Sequence, residues 1–131
     1  MEIQSKILPL GGTGGLYSII SKEITDEGGV FRLRLNPEYI IYKAHFPEQP
    51  ITPGVCITQI AVELAEIIVG HSLQMTGIKN VKFLSILTPA TQTEVTYNIT
   101  IKSSDDKETR VQAVAQSDDV VYAKMSLICK R

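Results

Sequence analysis

Residues 55–69 constrain this chain most. Val55, Ile57, Ile60, Val62, Leu64, Ile67 and Ile68, spaced at 100° per residue, spread almost all the way round a helix. A helix without a wet face has to be covered on most sides. One narrow stripe breaks the pattern, formed by Gln59, Glu63 and Glu66. Glu66 reads as a solvated or dimer-facing charge. Thr52 suits the N-cap and Pro53 the first helical position, so the helix is predicted to begin there. His71 suits the negative pole at its end.

The rest of the chain supplies strands to cover such a helix. Residues 16–20 are β-branched and aromatic. The glycines at 11–15 lead into this strand, not into a helix N-terminus, so they read as a loop and not as a phosphate cradle. The turn Asp26-Glu27-Gly28-Gly29 is followed by Phe31, Leu33 and Leu35 on one face and Arg32 and Arg34 on the other. Residues 36–53 hold Pro37, Pro47, Pro50 and Pro53 and are expected to be a loop anchored by residues 39–42. After Gly77, residues 78–87 form a candidate strand. Val95, Tyr97, Ile99 and Ile101 then alternate with polar residues. Val111, Ala113 and Ala115 repeat the pattern, as do Val121, Ala123, Met125, Leu127 and Cys129. The expected architecture is α+β: a curled antiparallel sheet wrapped around one long central helix, a single domain over residues 1–131.

Composition serves mainly to exclude. A net charge of −1 offers no basic field for nucleic acid. The two histidines and two cysteines stand at unrelated spacings, so no metal site is expected. Cys56 and Cys129 read as small buried hydrophobes. No basic start joins a long apolar run, and no apolar stretch reaches membrane-spanning length, so the expected location is the cytoplasm, without a membrane partner.

Chemistry concentrates in His45-Phe46-Pro47-Glu48-Gln49-Pro50-Ile51-Thr52-Pro53-Gly54-Val55. The prolines stiffen the loop that carries His45, whose imidazole titrates near neutrality. Gly54 allows close approach to the amides of a helix N-terminus, which suit a developing oxyanion.

This segment resembles the active-site motif of the 3-hydroxyacyl-acyl carrier protein dehydratases, whose fold is the hot-dog. Lys82-Phe83 looks like that family's basic-Phe pair, and residues 118–130 look like its final hairpin. The resemblance covers most of residues 30–131 and is slight over residues 1–15. It implies reversible loss of water from a 3-hydroxyacyl thioester to a trans-2-enoyl thioester. His45 would be the acid/base residue, Gly54 would donate to the thioester carbonyl, and Phe46, Pro53 and Val55 would line the acyl site. The family carries a helix carboxylate fourteen positions after its histidine and a glutamine four residues later. Here those places hold Gln59 and Glu63, an exchange. An amide cannot release and regain a proton at neutral pH. Glu63 lies about 6 Å further along the helix on the same face.

Three functions are therefore weighed. One is a dehydratase using His45 and Glu63 with Gln59 orienting the substrate. The others are a non-catalytic acyl-thioester or carrier-protein binding protein, and a thioesterase. The resemblance further implies a homodimer with shared sites, the histidine from one chain and the carboxylate from the other. It implies no cofactor beyond the phosphopantetheine of an acyl carrier protein or CoA. Lys43, Lys79, Lys82 and Lys124 are the candidate docking residues for the acidic carrier.

Overall fold

A computed structural model of the protein describes residues 15–39, 41–42 and 50–131. The glycine loop before residue 15 and the sites assigned to Lys43, His45 and Phe46 lie outside the described residues.

Among the described residues, six antiparallel strands form one sheet. They are β1 (Tyr17–Ile24), β2 (Gly28–Leu35), β3 (Gln74–Phe83), β4 (Glu94–Ser104), β5 (Thr109–Ser117) and β6 (Val120–Lys130), in the spatial order β1-β2-β4-β5-β6-β3. One long helix, α1 (Gly54–Val69), packs against β2, β3, β4, β5 and β6. The period-2 reading places most of the concave face, but Ile101 is only partly buried, and so is Val121, because a register shift after Ala115 turns Tyr122 inward instead. Phe31, Leu33, Leu35, Val95, Tyr97, Ile99, Val111, Met125, Leu127 and Cys129 are all buried. β5 and β6 add Ala113, Ala115 and Ala123, small side chains that let a helix lie close to the sheet. From α1, residues Ile57, Ile60, Ala61, Val62, Leu64 and Ala65 enter the same core. Each fully buried Val, Leu or Ile contributes roughly 1.5–3 kcal/mol. The helix is therefore held by tertiary burial more than by its own propensity.

Several local expectations are corrected. Ile41 and Tyr42 are helical, although the prolines of residues 36–53 argue against helix there. No proline stands between Pro37 and Pro47. Asn36 organises the turn: its Oδ1 accepts from Glu38 N–H and its carbonyl from Tyr39 N–H. Thr52 does not cap α1. The N-cap is Pro53, with extended backbone and no side-chain cap, because the Thr52 hydroxyl is engaged with the buried Tyr42 hydroxyl at 2.8 Å. Helix α1 ends at Gly70 in the left-handed conformation (φ 81°), whose N–H donates to Glu66 O. His71 lies beyond that stop, with Nδ1 against Ser72 O at 3.1 Å, and not in the last turn. β3 starts at Gln74, ahead of the expected Ile78, since pairing with β6 runs from Gln74↔Lys130 to Phe83↔Ala123 and passes Gly77 with a bulge.

Candidate active site

Of the polar stripe on α1, Glu63 points into the core, while Gln59 and Glu66 are half-buried. Glu63 is only 4% exposed, surrounded in sequence by fully buried Ile60, Ala61, Val62 and Leu64. An ionised carboxylate in such surroundings is costly unless hydrogen bonds compensate it. The Tyr17 hydroxyl donates to Glu63 Oε1 at 2.8 Å, and Gln59 Nε2 lies 3.4 Å from Oε2, a long contact. Tyr17 opens β1 and is itself buried. Its burial, reinforced by the neighbouring Glu63 charge, pushes the phenol far above its usual range. It therefore stays a neutral donor at any physiological pH.

The chain just before Tyr17 is anchored on both sides of Asn36. Asn36 N–H donates to Leu16 O at 2.8 Å, and Asn36 Nδ2 donates to Gly15 O at 3.1 Å. Two hydrogen bonds thus fasten the start of β1 to the end of β2, and the phenol is delivered to the helix from a fixed support.

Gln59 is half-buried one turn nearer the helix N-terminus. Glu66, expected as a solvated or dimer-facing charge, is half-buried and accepts from Leu73 N–H through Oε2 at 2.7 Å. It ties down the connection after α1, where an unpaired amide would otherwise be partly buried.

At the N-terminal end, Cys56 N–H and Ile57 N–H both close on Pro53 O. Gly54 is the first helical residue, in the region where amides lack intrahelical acceptors. The Phe83 ring lies against it: a Cβ at position 54 would stand 2.7 Å from Phe83 Cζ. Val55 projects from the surface of this chain, 70% exposed, and Phe83 is 54% exposed. Leu84 and Ile86 are exposed beyond it. The expected lining residue Val55 is thus not part of the core of one chain.

Cys56 and Cys129 are free and buried. Burial, with Glu63 close by, raises the Cys56 thiol. Burial, with Glu66 close by, raises the Cys129 thiol to about 11. Both are therefore protonated and unreactive near neutral pH. Lys79, Lys82 and Lys124 are exposed, and Lys82 and Lys124 are direct cross-strand partners. Among the described residues no cluster of three His, Cys, Asp or Glu side chains could hold a metal ion. No helix there is long and apolar enough to cross a membrane.

The profile of the ApeI-like family, described as ApeI dehydratase, matches residues 21–125. The chain belongs to the ApeI-like dehydratase family. Two curated relatives, the 3-hydroxyacyl-[acyl-carrier-protein] dehydratases FabZ of Cupriavidus taiwanensis and Cupriavidus necator, are each 27% identical over 97 residues, 67% of this chain. The chain spans 64% of the length of those relatives. Among solved structures, the dehydratase heterocomplex ApeI:P of Xenorhabdus doucetiae matches with a TM-score of 0.69 at 20% identity. That match covers 86% of this chain and 96% of the other. A thioesterase-superfamily protein gives a TM-score of 0.63 at 14% identity, over 86% of this chain and 82% of the other. At such identities these two show the fold alone: this ApeI-like chain has the hot-dog architecture.

Sequence reasoning selected Gln59, Glu63 and Gly54 and missed Tyr17. Two signals pointed to it. Tyr17 shares the inward parity of Ile19, and a buried phenol needs an acceptor as much as a buried carboxylate needs a donor. That the two needs meet across 46 positions was not visible without the fold.

Proposed function

We propose that this ApeI-like chain is a dehydratase that interconverts 3-hydroxyacyl and trans-2-enoyl thioesters in the synthesis of fatty acids or related lipids or polyketides. The observation that best supports this reading is Glu63: an acid held inside an apolar helix, beside Gln59, with its orientation set by hydrogen bonds.

In this reading His45 takes the proton from C2 of the substrate. The electron pair moves toward the thioester carbonyl, whose oxygen accepts the Gly54 N–H. The C2=C3 double bond forms as the C3–O bond breaks, and Glu63 gives its proton to the departing hydroxyl, directly or through one water. Water leaves, and a proton passes from His45 to Glu63 to restore the starting state. Gln59 holds the hydroxyl by its amide, a task that requires no proton exchange. The protein needs no cofactor of its own, because the acyl group arrives on phosphopantetheine. Two buried free thiols accord with a reducing, cytoplasmic setting.

The reading includes a dimer. β3 is an edge strand carrying exposed Ile78 and ending at exposed Phe83, with Leu84 and Ile86 following. An edge of that kind calls for a partner strand, supplied by a second copy of this chain. The paired lysines Lys82 and Lys124 favour docking of an acidic carrier protein.

The test is to incubate the protein with 3-hydroxyacyl and 2-enoyl thioesters on acyl carrier protein and on CoA, following enoyl absorbance and free thiol together. Enoyl interconversion without thiol release is expected. Thiol release makes the protein a thioesterase, and neither change, with measurable acyl-thioester binding, makes it a binding protein.

A further inference from the structure

We infer that Tyr17 is a positioning residue that holds the Glu63 carboxylate in its working orientation, with Oε1 committed to β1 and Oε2 turned toward Gln59. The inference rests on the dehydratase reading of Glu63, and its test separates the two.

The geometry carries it. Glu63 sits on the helix and Tyr17 on the sheet, yet the contact is short, 2.8 Å, and buried on both sides. A glutamate side chain has three rotatable bonds. Packing alone leaves its carboxylate free to swing between rotamers of similar energy. A phenol donor on a rigid support removes that freedom and distinguishes the two oxygens. The support is rigid because Asn36 bonds both Gly15 and Leu16 immediately before Tyr17, and Tyr17 pairs with Leu35 in the β1–β2 ladder. The second oxygen is thereby aimed along the helix toward its N-terminal end, where Gln59 and the first-turn amides lie.

Tyr17 is a neutral hydroxyl with the ring packed in the core. The residue touches no reacting atom in this scheme. It acts through Glu63.

The experiment compares wild type with Tyr17→Phe, Glu63→Gln and the double variant. Tyr17→Phe keeps the ring and removes the donor. For enoyl-thioester interconversion, kcat of Tyr17→Phe is expected to fall about 10- to 100-fold with KM changed less than about 2-fold, because an orienting contact is lost and a binding contact is not. Added to Glu63→Gln, Tyr17→Phe is expected to change nothing further. A crystal structure of Tyr17→Phe is expected to show the Glu63 carboxylate turned away from its wild-type orientation, with the backbone of α1 unmoved. Unaltered kcat, an unmoved Glu63 carboxylate in the Tyr17→Phe structure, or an equal further loss in the Glu63→Gln background would each overturn the inference. If wild type shows no dehydration at all, the function proposed above fails. The Tyr17→Phe structure still decides whether Tyr17 orients Glu63.

Discussion

Gln59 and Glu63 stand one helical turn apart on α1, with Nε2 of the first 3.4 Å from Oε2 of the second. The pair is in contact, so its two side chains form one polar patch on an otherwise apolar helix. Glu63→Gln leaves a buried amide and no acid. It is expected to reduce dehydration at least about 100-fold, at the lower end of what general acid–base groups contribute, while acyl-thioester binding persists. Full activity in Glu63→Gln, measured by enoyl absorbance, would rule Glu63 out as the acid. The exchanged variant Gln59→Glu/Glu63→Gln tests whether either position can carry the carboxylate. It is expected to keep more activity than Glu63→Gln alone.

Gly54 and Phe83 give a second outcome. A Cβ at position 54 meets the Phe83 ring at 2.7 Å, but that ring is more than half exposed and can swing outward. Gly54→Ala is therefore expected to cost less than about 1 kcal/mol of stability, since Ala favours helix over Gly. Any loss of activity comes from the displaced ring or from restricted approach to the Gly54 amide. The double change Gly54→Ala/Phe83→Ala separates these. Recovery of activity assigns the loss to the ring, and persistence assigns it to the amide.

Lys82 and Lys124 face each other across β3 and β6. Like charges directly opposite are unfavourable, so Lys82→Glu is expected to raise stability by about 0.2–1 kcal/mol. If the pair serves an acidic carrier, the same change raises KM for carrier-bound substrate several-fold and leaves KM for the CoA thioester nearly unaltered. Stability and docking then move in opposite directions. An equal KM change on both substrates would argue against a docking role.

The raised thiol of Cys129 carries a pH consequence. Unfolded, a cysteine loses its proton near 8.5. Folded, Cys129 keeps it until about 11. Between those values the unfolded state binds fewer protons, so stability falls as pH rises and is unaffected by this group below the window. Thermal unfolding of wild type is expected to drop in Tm across pH 8.5–11. Cys129→Ala should start lower, because a buried side chain is shortened, but show a shallower decline. Parallel curves for the two proteins would remove Cys129 as a source of alkaline sensitivity.

What the sequence determined by itself follows from periodicity and composition, which are local. The all-round apolar run of residues 55–69 required a covered helix. The alternation in residues 31–35, 95–101 and 111–129 specified most of the covering face, and the structure departs from it at Val121, where a register shift turns Tyr122 inward instead. The exchange of Gln59 and Glu63 was legible because it depends only on spacing along one helix. Tertiary structure decided the partners of polar atoms. Thr52 reads as a cap until the Tyr42 hydroxyl is found 2.8 Å away, and the Leu73 N–H that Glu66 accepts cannot be read from its place on the helix. Tyr17 reads as one more inward residue of a strand until its hydroxyl reaches Glu63. Hydrophobic burial is non-directional and leaves its pattern in the order of residues. A buried hydrogen bond is directional and joins positions far apart in the chain, so its partner appears only when the sheet has closed round the helix.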